Sequence, residues 1–384
     1  MRLLKQNTHQ FEVQSLKPLS LLFKHAGWLS VFLWLIFIAP VQALELRVAI
    51  KKGVSEVKVG SSTPALVKDG AGKVLGTLAE LVPQEARASG RGVTVGQWQS
   101  NQLIIEPNGD GVVWIGDRWY RGRTRLMRQG NGVTAINNVN LEEYLYSVVG
   151  AEAIPTWPQE ALKAQAVAAR SFAIYKSTAE SNRFYDLDTT TATQVYKGLE
   201  SEYVSTIDAV KATDGQVMTY NGKVILAAFH AASGGHTENV ENVWSSPLPY
   251  LRGVVDYDQT SPVFQWSRQF RVSELSQLIG GIGSIRSMVP ERTTPLGRIV
   301  TMRVVGSGGS KQLSGTQIRS ALKLRSTLFT VSNSGGTFSI NGRGSGHGIG
   351  LSQWGAYGLS VKNVTYDRIL AHYYQNATLT QLNR

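Results

Sequence analysis

Residues 139–177 read VNLEEYLYSVVGAEAIPTWPQEALKAQAVAARSFAIYKS, and this stretch decides the fold class. Asn140 and Glu143 have capping-box spacing, Leu141, Leu145 and Val148 share one helical face, and Gly150 is a stop signal, so a first helix is predicted from Leu141 to Val149. A second is predicted from near Thr156, which stands to Gln159 as in a capping box with Pro158 in the first turn, through EALKAQAVAARSFAIYKS. Leu162, Ala166, Ala169 and Ala173 form a narrow stripe suited to close packing, while Gln159, Lys163 and Arg170 share an opposite, polar side expected to be accessible. Between the helices a short loop carries Glu152 among Ala151, Ala153, Ile154 and Trp157.

On the N-terminal side, from Leu44 to about Asn138, LELRVAI, EVKVG, NQLIIEP, GVVWIG, RWYRGRTRLMRQ and GVTAINNV are short strand-like runs separated by Gly, Asn and Asp turns. They predict a small β-rich domain over 44–138, with Trp114, Trp119 and Tyr120 as core aromatics. On the C-terminal side come a Thr-rich loop from Asp188 to Thr193, QVYKG, a helix from Glu202 to Ala212, and strands GQVMTY and KVILAAFHA joined at Asn221-Gly222, a strong hairpin turn. Helix-like SELSQLIGG and SGTQIRSALKL and strands RIVTMRVVG and LFTVSN fill an inserted α/β segment near 262–340. The Gly-rich GRGSGHGIGLSQWGAYG and a last helix from Thr365 to Gln375 follow. No internal repeat is found. The expected class is α+β, a helical and mixed-sheet catalytic core over 139–384 behind an N-terminal small β-domain.

The chain has 384 residues, of which 42% are hydrophobic and 17% charged, which excludes intrinsic disorder. No cysteine is present, so disulfides, thiolate-zinc sites, iron–sulfur clusters and cysteine nucleophiles are excluded together. Arg2, Lys5, Lys17 and Lys24 precede an apolar run from Trp28 to Ala39, and Val41-Gln42-Ala43 places small residues at a cleavage position. Residues 1–43 are therefore expected to be a signal peptide, the other reading being an uncleaved membrane anchor. Cleavage removes four cations and Glu12, so the net charge of +12 falls to +9. A basic protein exported to the cell envelope, periplasm or wall, is expected to meet anionic wall polymer rather than nucleic acid, and the membrane only through a retained leader.

Three segments combine polar groups with backbone freedom. Glu152, desolvated in its apolar loop, would have a pKa raised toward that of a general acid, although most carboxylates are merely solvated. FHAASGGHTENVENVW sets Ser233 beside His230, His236, Glu238 and Glu241, yet it has no G-x-S-x-G elbow and no zinc-ligand spacing, so a hydrogen-bonding loop is expected. In GRGSGHGIG, residues 342–350, the glycines resemble a dinucleotide loop, but no ribose-binding acid lies in a following βαβ unit. Glycines alternating around His347 instead let a ligand approach the backbone while one imidazole is presented.

Together these segments resemble the stage II sporulation protein D family (SpoIID/LytB) over nearly the whole mature chain. VNLEEYLYSVVGAEAIPTWPQEALKAQAVAARSFAIY resembles its N-terminal core motif, AASGGHTENVENVWSSPLPYLRGV its central motif, and GRGSGHGIGLSQWGAYG with ILAHYY its C-terminal motif. The resemblance implies a lytic transglycosylase that cleaves peptidoglycan glycan strands, preferably ones stripped of stem peptides, with Glu152 as the essential acid. Arg170 matches the Arg that supports that Glu, and Tyr196, Ser233 and His347 match motif positions around the glycan, with Gln194 and Gln353 as additions. Members that bind zinc carry Cys and His before QVY, where this chain has Asp188, Ala192 and Thr193, so no metal and no cofactor are expected. That loop is expected to be held by hydrogen bonds among its threonines and Asp186 or Asp188. The family's LytB branch implies an alternative, a non-catalytic wall-binding enhancer of an N-acetylmuramoyl-L-alanine amidase.

Overall fold

The computed structural model describes residues 44–90, 92–179, 184–189, 193–244 and 246–382. The expected leader, 1–43, lies outside the described residues, as does Ala192.

Short alternating strands build the first part of the molecule: β1 (Glu45–Val54), β2 (Glu56–Ser61), β3 (Ala65–Asp69), β4 (Val74–Leu78), β5 (Gln84–Ser89), β6 (Gly92–Val95), β7 (Trp98–Ser100), β8 (Gln102–Pro107), β9 (Val113–Ile115), β10 (Arg118–Tyr120), β11 (Arg123–Gln129) and β12 (Gly132–Asn140). They form two sheets, β1-β12-β11-β8-β3-β4 and β10-β9-β2-β5-β6-β7, with β13 (Leu187–Asp188) added in parallel beside β1. Alternation aims Val57, Val59, Val93, Val95, Leu103, Ile105, Val113 and Ile115 into a shared apolar core. That core continues into the helices through Leu141, Leu145, Val148, Ala166, Ala169 and Ala173. Trp114 and Trp119 meet edge to face at 5.2 Å and Tyr120 is buried, as packing aromatics should be.

Helix α1 (Leu141–Glu152) begins where expected, with the Asn140 side chain accepting from the Glu142 and Glu143 amides at 2.8 and 3.4 Å. It does not end at Gly150. A Cβ there would lie 2.0 Å from the Ser201 carbonyl oxygen, so the glycine serves a close approach inside the helix rather than a stop. The extra turn puts Glu152 on the C-terminal end of α1, not in a loop.

Helix α2 (Gln159–Ala179) starts later than predicted, since the Gln159 amide donates to the Ser205 carbonyl at 2.9 Å instead of reaching back toward Thr156. It is buried on nearly every side. Ala166, Ala169 and Ala173 face the first core, whereas Ala164, Val167 and Ala168 face a second core with Met218, Ile225, Leu251, Leu351 and Tyr373. Small residues all round are what a helix between two cores requires. Arg170 was read as accessible and is fully buried, which corrects that expectation. Its guanidinium binds Glu142 at 2.9 and 2.6 Å and the carbonyls of Gln216 at 3.1 Å and Val210 at 3.3 Å. These tie the first turn of α1 to the end of α3 (Val204–Ala212) and the start of β14 (Gln216–Tyr220).

The hairpin at Asn221-Gly222 forms, both residues having positive φ, and joins β14 to β15 (Lys223–Val224). The predicted strand KVILAAFHA is interrupted by tight turns in which Ala227 and Ala228 donate to the Ile225 and Leu226 carbonyls. It resumes as β16 (Phe229–His230), which pairs in parallel with the distant Leu351–Ser352. Between those two paired segments the chain runs through 265–343, with strands Gln265–Arg271, Ile285–Thr293, Ile299–Gly306, Gly309–Ser314, Phe329–Ser334 and Thr337–Arg343 in two three-stranded sheets. Helices α4 (Val272–Ile279) and α5 (Gly315–Ala321) complete it around a core of its own, including Phe270, Leu275, Met302, Ile318 and Phe338. Helices α6 (Gln353–Ser360) and α7 (Tyr366–Tyr373) close the chain. The class is α+β.

Arg170→Met leaves Glu142 and two carbonyls without their cation. A loss of about 3–5 kcal/mol is expected, the size typical of breaking a buried pair from one side. Urea unfolding checks it; a change below about 1 kcal/mol would deny Arg170 its structural role.

Candidate active site

A groove of about 850 Å³ runs beside the end of α1 and is lined by Glu152, Phe172, Gln194, Val195, Phe229, His230, Trp244, Arg319, His347 and Gln353 among others. Glu152 is the only carboxylate residue among the described residues that line it. Its Oε1 accepts from the Val195 amide at 2.8 Å, and the Gln353 side chain is a second donor. Burial pushes the Glu152 carboxyl above the usual carboxylate range and outweighs those donors and Lys197, all of which favour the anion. The helix end acts in the same direction as burial, because the last carbonyls of α1 present partial negative charge to a carboxylate placed there.

Gln194 fixes the donor that meets this acid. Its Oε1 accepts from the buried Tyr144 hydroxyl at 3.0 Å and its amide donates to the Ala169 carbonyl at 3.1 Å, so its polar atoms hold the chain from which Val195 points at Glu152. Gln353 opens α6, lies almost fully buried in the groove wall, and supports Glu152 directly.

The other wall carries two histidines. His347 and His230 lie 5.3 Å apart between ring centres, with Trp244 5.2 Å from His347. The Ile349 amide donates to His347 Nδ1 at 3.0 Å, so that nitrogen is unprotonated. Burial, with the Arg298 and Arg319 charges, pulls His347 down to about 4. His230 is held well below the ordinary histidine value by burial and by His347 and Arg298. Its Nδ1 meets the Ile349 carbonyl at 3.1 Å, while its buried Nε2 has no protein partner. Both imidazoles are neutral at neutral pH and available as hydrogen-bonding groups.

Three expected site residues lie elsewhere. Arg170 supports α1 from within the core and cannot reach a ligand. Tyr196 is buried, its hydroxyl donating to Asn137 Oδ1 at 2.7 Å and its ring packed on Tyr120 and Tyr144. Ser233 is fully buried with its hydroxyl on Asp256, and the neighbouring Gly234 and Gly235 amides donate to Asp258 at 2.7 and 2.9 Å. The Ser233–Gly235 turn of this segment thus supports the groove from behind, while Phe229, His230 and Trp244 line it, and no metal-holding cluster exists among the described residues. Thr193 donates to the Asp188 carbonyl and carboxylate, as expected of that loop, while Asp186 pairs with Arg47. The sequence reading missed the Val195 amide, which no residue type announces, and Phe172, Phe229, Arg319 and Lys323, which only the fold brings to the groove.

This geometry accompanies a clear kinship. Residues 129–220 match the family model described as stage II sporulation protein, and residues 251–350 match a domain of unknown function, DUF8618. The chain belongs to the stage II sporulation protein D family (SpoIID/LytB). It is 34% identical to stage II sporulation protein D of Bacillus subtilis over 267 residues, 64% of this chain and 76% of that one. A Brachyspira hyodysenteriae protein is 33% identical over 289 residues, 73% of this chain and 77% of its own. The amidase enhancer of Bacillus subtilis is also 33% identical, over 62% of this chain but 40% of its own length.

Because the folded pKa of Glu152 lies above its unfolded value, the ionised acid costs stability above that folded pKa, and the cost vanishes below the ordinary carboxylate pKa, where both states are protonated. Glu152→Gln is expected to raise the melting temperature at pH 7 and to lose that advantage as pH falls toward 4. Thermal melts across that range check the sign.

Proposed function

We propose that the chain is an exported cell-wall lytic transglycosylase that cleaves peptidoglycan glycan strands, preferably those freed of stem peptides. A single observation carries this reading: one half-buried carboxyl of raised proton affinity stands in the groove, with no second carboxylate residue among the described residues that line it. Glycoside hydrolases need two carboxyl groups, one for the leaving oxygen and one for water or covalent attack. An intramolecular attack needs one. Glu152 gives its proton to the glycosidic oxygen as the bond from the anomeric carbon to that oxygen breaks. The carboxylate, steadied by the Val195 and Gln353 donors, then takes the proton of the muramyl C6 hydroxyl as that oxygen bonds to the anomeric carbon. No water is consumed, the product ends in an anhydro ring, and the acid is restored. Attack within one sugar also gains from proximity. The apolar run before Ala43 supports export.

A second reading, a wall-binding partner that stimulates an N-acetylmuramoyl-L-alanine amidase, draws on the similarity to the amidase enhancer. Digestion of peptide-free glycan strands separates the two. Anhydro-muramyl ends should form with the unmodified protein, and Glu152→Gln should lower their rate by about 100- to 10,000-fold, the usual worth of positioned acid–base catalysis. Mass spectrometry of the ends reads the outcome; no ends from either protein, with faster amidase turnover, would favour the second reading.

A further inference from the structure

The basic charge of this chain is confined to one part of it. Between residues 265 and 343 stand eleven Arg and Lys against two acids, Glu274 and Glu291, a net +9. That equals the net charge of residues 44–384, so everything else in that span sums to zero. Nine of the eleven cations are arginines, whose planar, weakly hydrated guanidinium meets oxyanions in a fixed fork. Among the described residues Arg303, held by Glu291 at 2.5 Å, is the one cation of this excursion in an ion pair. The excursion packs around an apolar core of its own, for which the excess charge has no use; like charges repel one another and cost the fold stability.

Part of this charge converges. Trp266 and Arg268, on the edge strand Gln265–Arg271, and Lys323 and Arg325, just after α5, line a cavity of about 530 Å³ with no carboxylate among its described lining residues. Arg268, Lys323 and Arg325 are exposed, and their side chains form no hydrogen bond or ion pair with a described residue. Trp266 is a fixed wall: its Nε1 donates to the Gly344 carbonyl at 2.9 Å, and its ring covers Gly342, where a Cβ would lie 2.1 Å from it. Glu152 does not line this cavity, and Arg268 and Arg325 do not line the groove. The described lining holds no large exposed apolar side chain to enter a bilayer, so a soluble chain fits it better than a lipid surface. Arg271, Arg286, Arg292 and Arg343 are also exposed on the excursion, more cations than one small anion could meet.

We propose that the 265–343 excursion is a polyanion-binding module, which seats one anionic group of a linear polymer among Arg268, Lys323 and Arg325 while its other exposed arginines meet neighbouring groups along the chain. The module goes beyond the glycan-cleaving reading and does not rest on it. The polymer is a ligand and not a substrate, because Glu152 lies outside the cavity. Phosphodiester and uronate chains share the chemistry required, which is closely spaced oxyanions, and each counterion released on contact adds to affinity.

The full chain is titrated, at several salt concentrations, with poly(glycerol phosphate), polyglucuronate, dextran and phosphatidylglycerol vesicles. Both polyanions should bind and dextran should not, and the logarithm of affinity should fall linearly with that of salt. Arg268→Gln with Arg325→Gln should weaken polyanion binding about tenfold and lower the slope by about one to two. Lys58→Gln with Lys73→Gln removes equal charge from exposed positions of the β-rich region and should change neither. Should the arginine pair not fold, Arg268→Gln alone decides, with a loss of about threefold. Tighter binding of one polyanion identifies phosphate or carboxylate as the preferred group, and either supports the module. Equal losses from the arginine and lysine pairs would reduce the effect to net charge and overturn the seat. Dextran binding as well as the polyanions, or vesicles binding more tightly than both, would overturn the polyanion. Every readout is binding, so failure of the module leaves the transglycosylase reading standing.

Discussion

The guanidinium of Arg170 is the fixed point of this molecule. A cation removed from water must be met on every side, and Glu142 with the Gln216 and Val210 carbonyls meet it. The base of α1 is thereby anchored to the β14 end of the core, and its tip, ten residues on and about 15 Å away at 1.5 Å per residue, carries Glu152. The acid sits at the far end of a lever whose near end cannot move. Arg170 supports Glu152 only through the helix, without touching it.

The groove gains its character by subtraction. Two histidines in one wall would ordinarily compete for the proton near neutrality, but burial beside Arg298 and Arg319 keeps both neutral. The buried Nε2 of His230 has no hydrogen-bond partner in the protein. Donors from Val195 and Gln353 oppose the burial of Glu152 without overcoming it, so its carboxyl stays above the usual range.

Much of this was legible in the chain. Asn140 announced the start of α1, Asn221-Gly222 the hairpin, and the alanines of α2 a tightly packed helix. The failures share one cause, which is that a residue's exposure is decided by segments far away in sequence. Periodicity put Arg170 on a polar face, yet α3 and β14 cover that face. Gly150 resembles a stop until Ser201 comes close enough to require it. The strands between Ala65 and Ser100 run only three to six residues, too short for alternation to announce them. Helix α6 was hidden by Gly355 and Gly358, which look like loop residues but admit Asp256, Tyr373 and Tyr257 at distances no Cβ would allow. Motif resemblance named Glu152 and His347, which line the groove together with the added Gln194 and Gln353, and also Tyr196 and Ser233, which are buried outside its lining.

The parallel pairing of Phe229–His230 with Leu351–Ser352 means that the intervening polypeptide departs and returns through neighbouring positions. Its span is thus free of the spacing between Glu152 and Gln353, both of which belong to the part it leaves behind. Lengthening, trimming or exchanging that detour would reshape the wall that Thr316, Arg319 and Lys323 lend to the groove while leaving the contact between Gln353 and Glu152 in place, so the two sides of the groove can change by separate routes in the same gene.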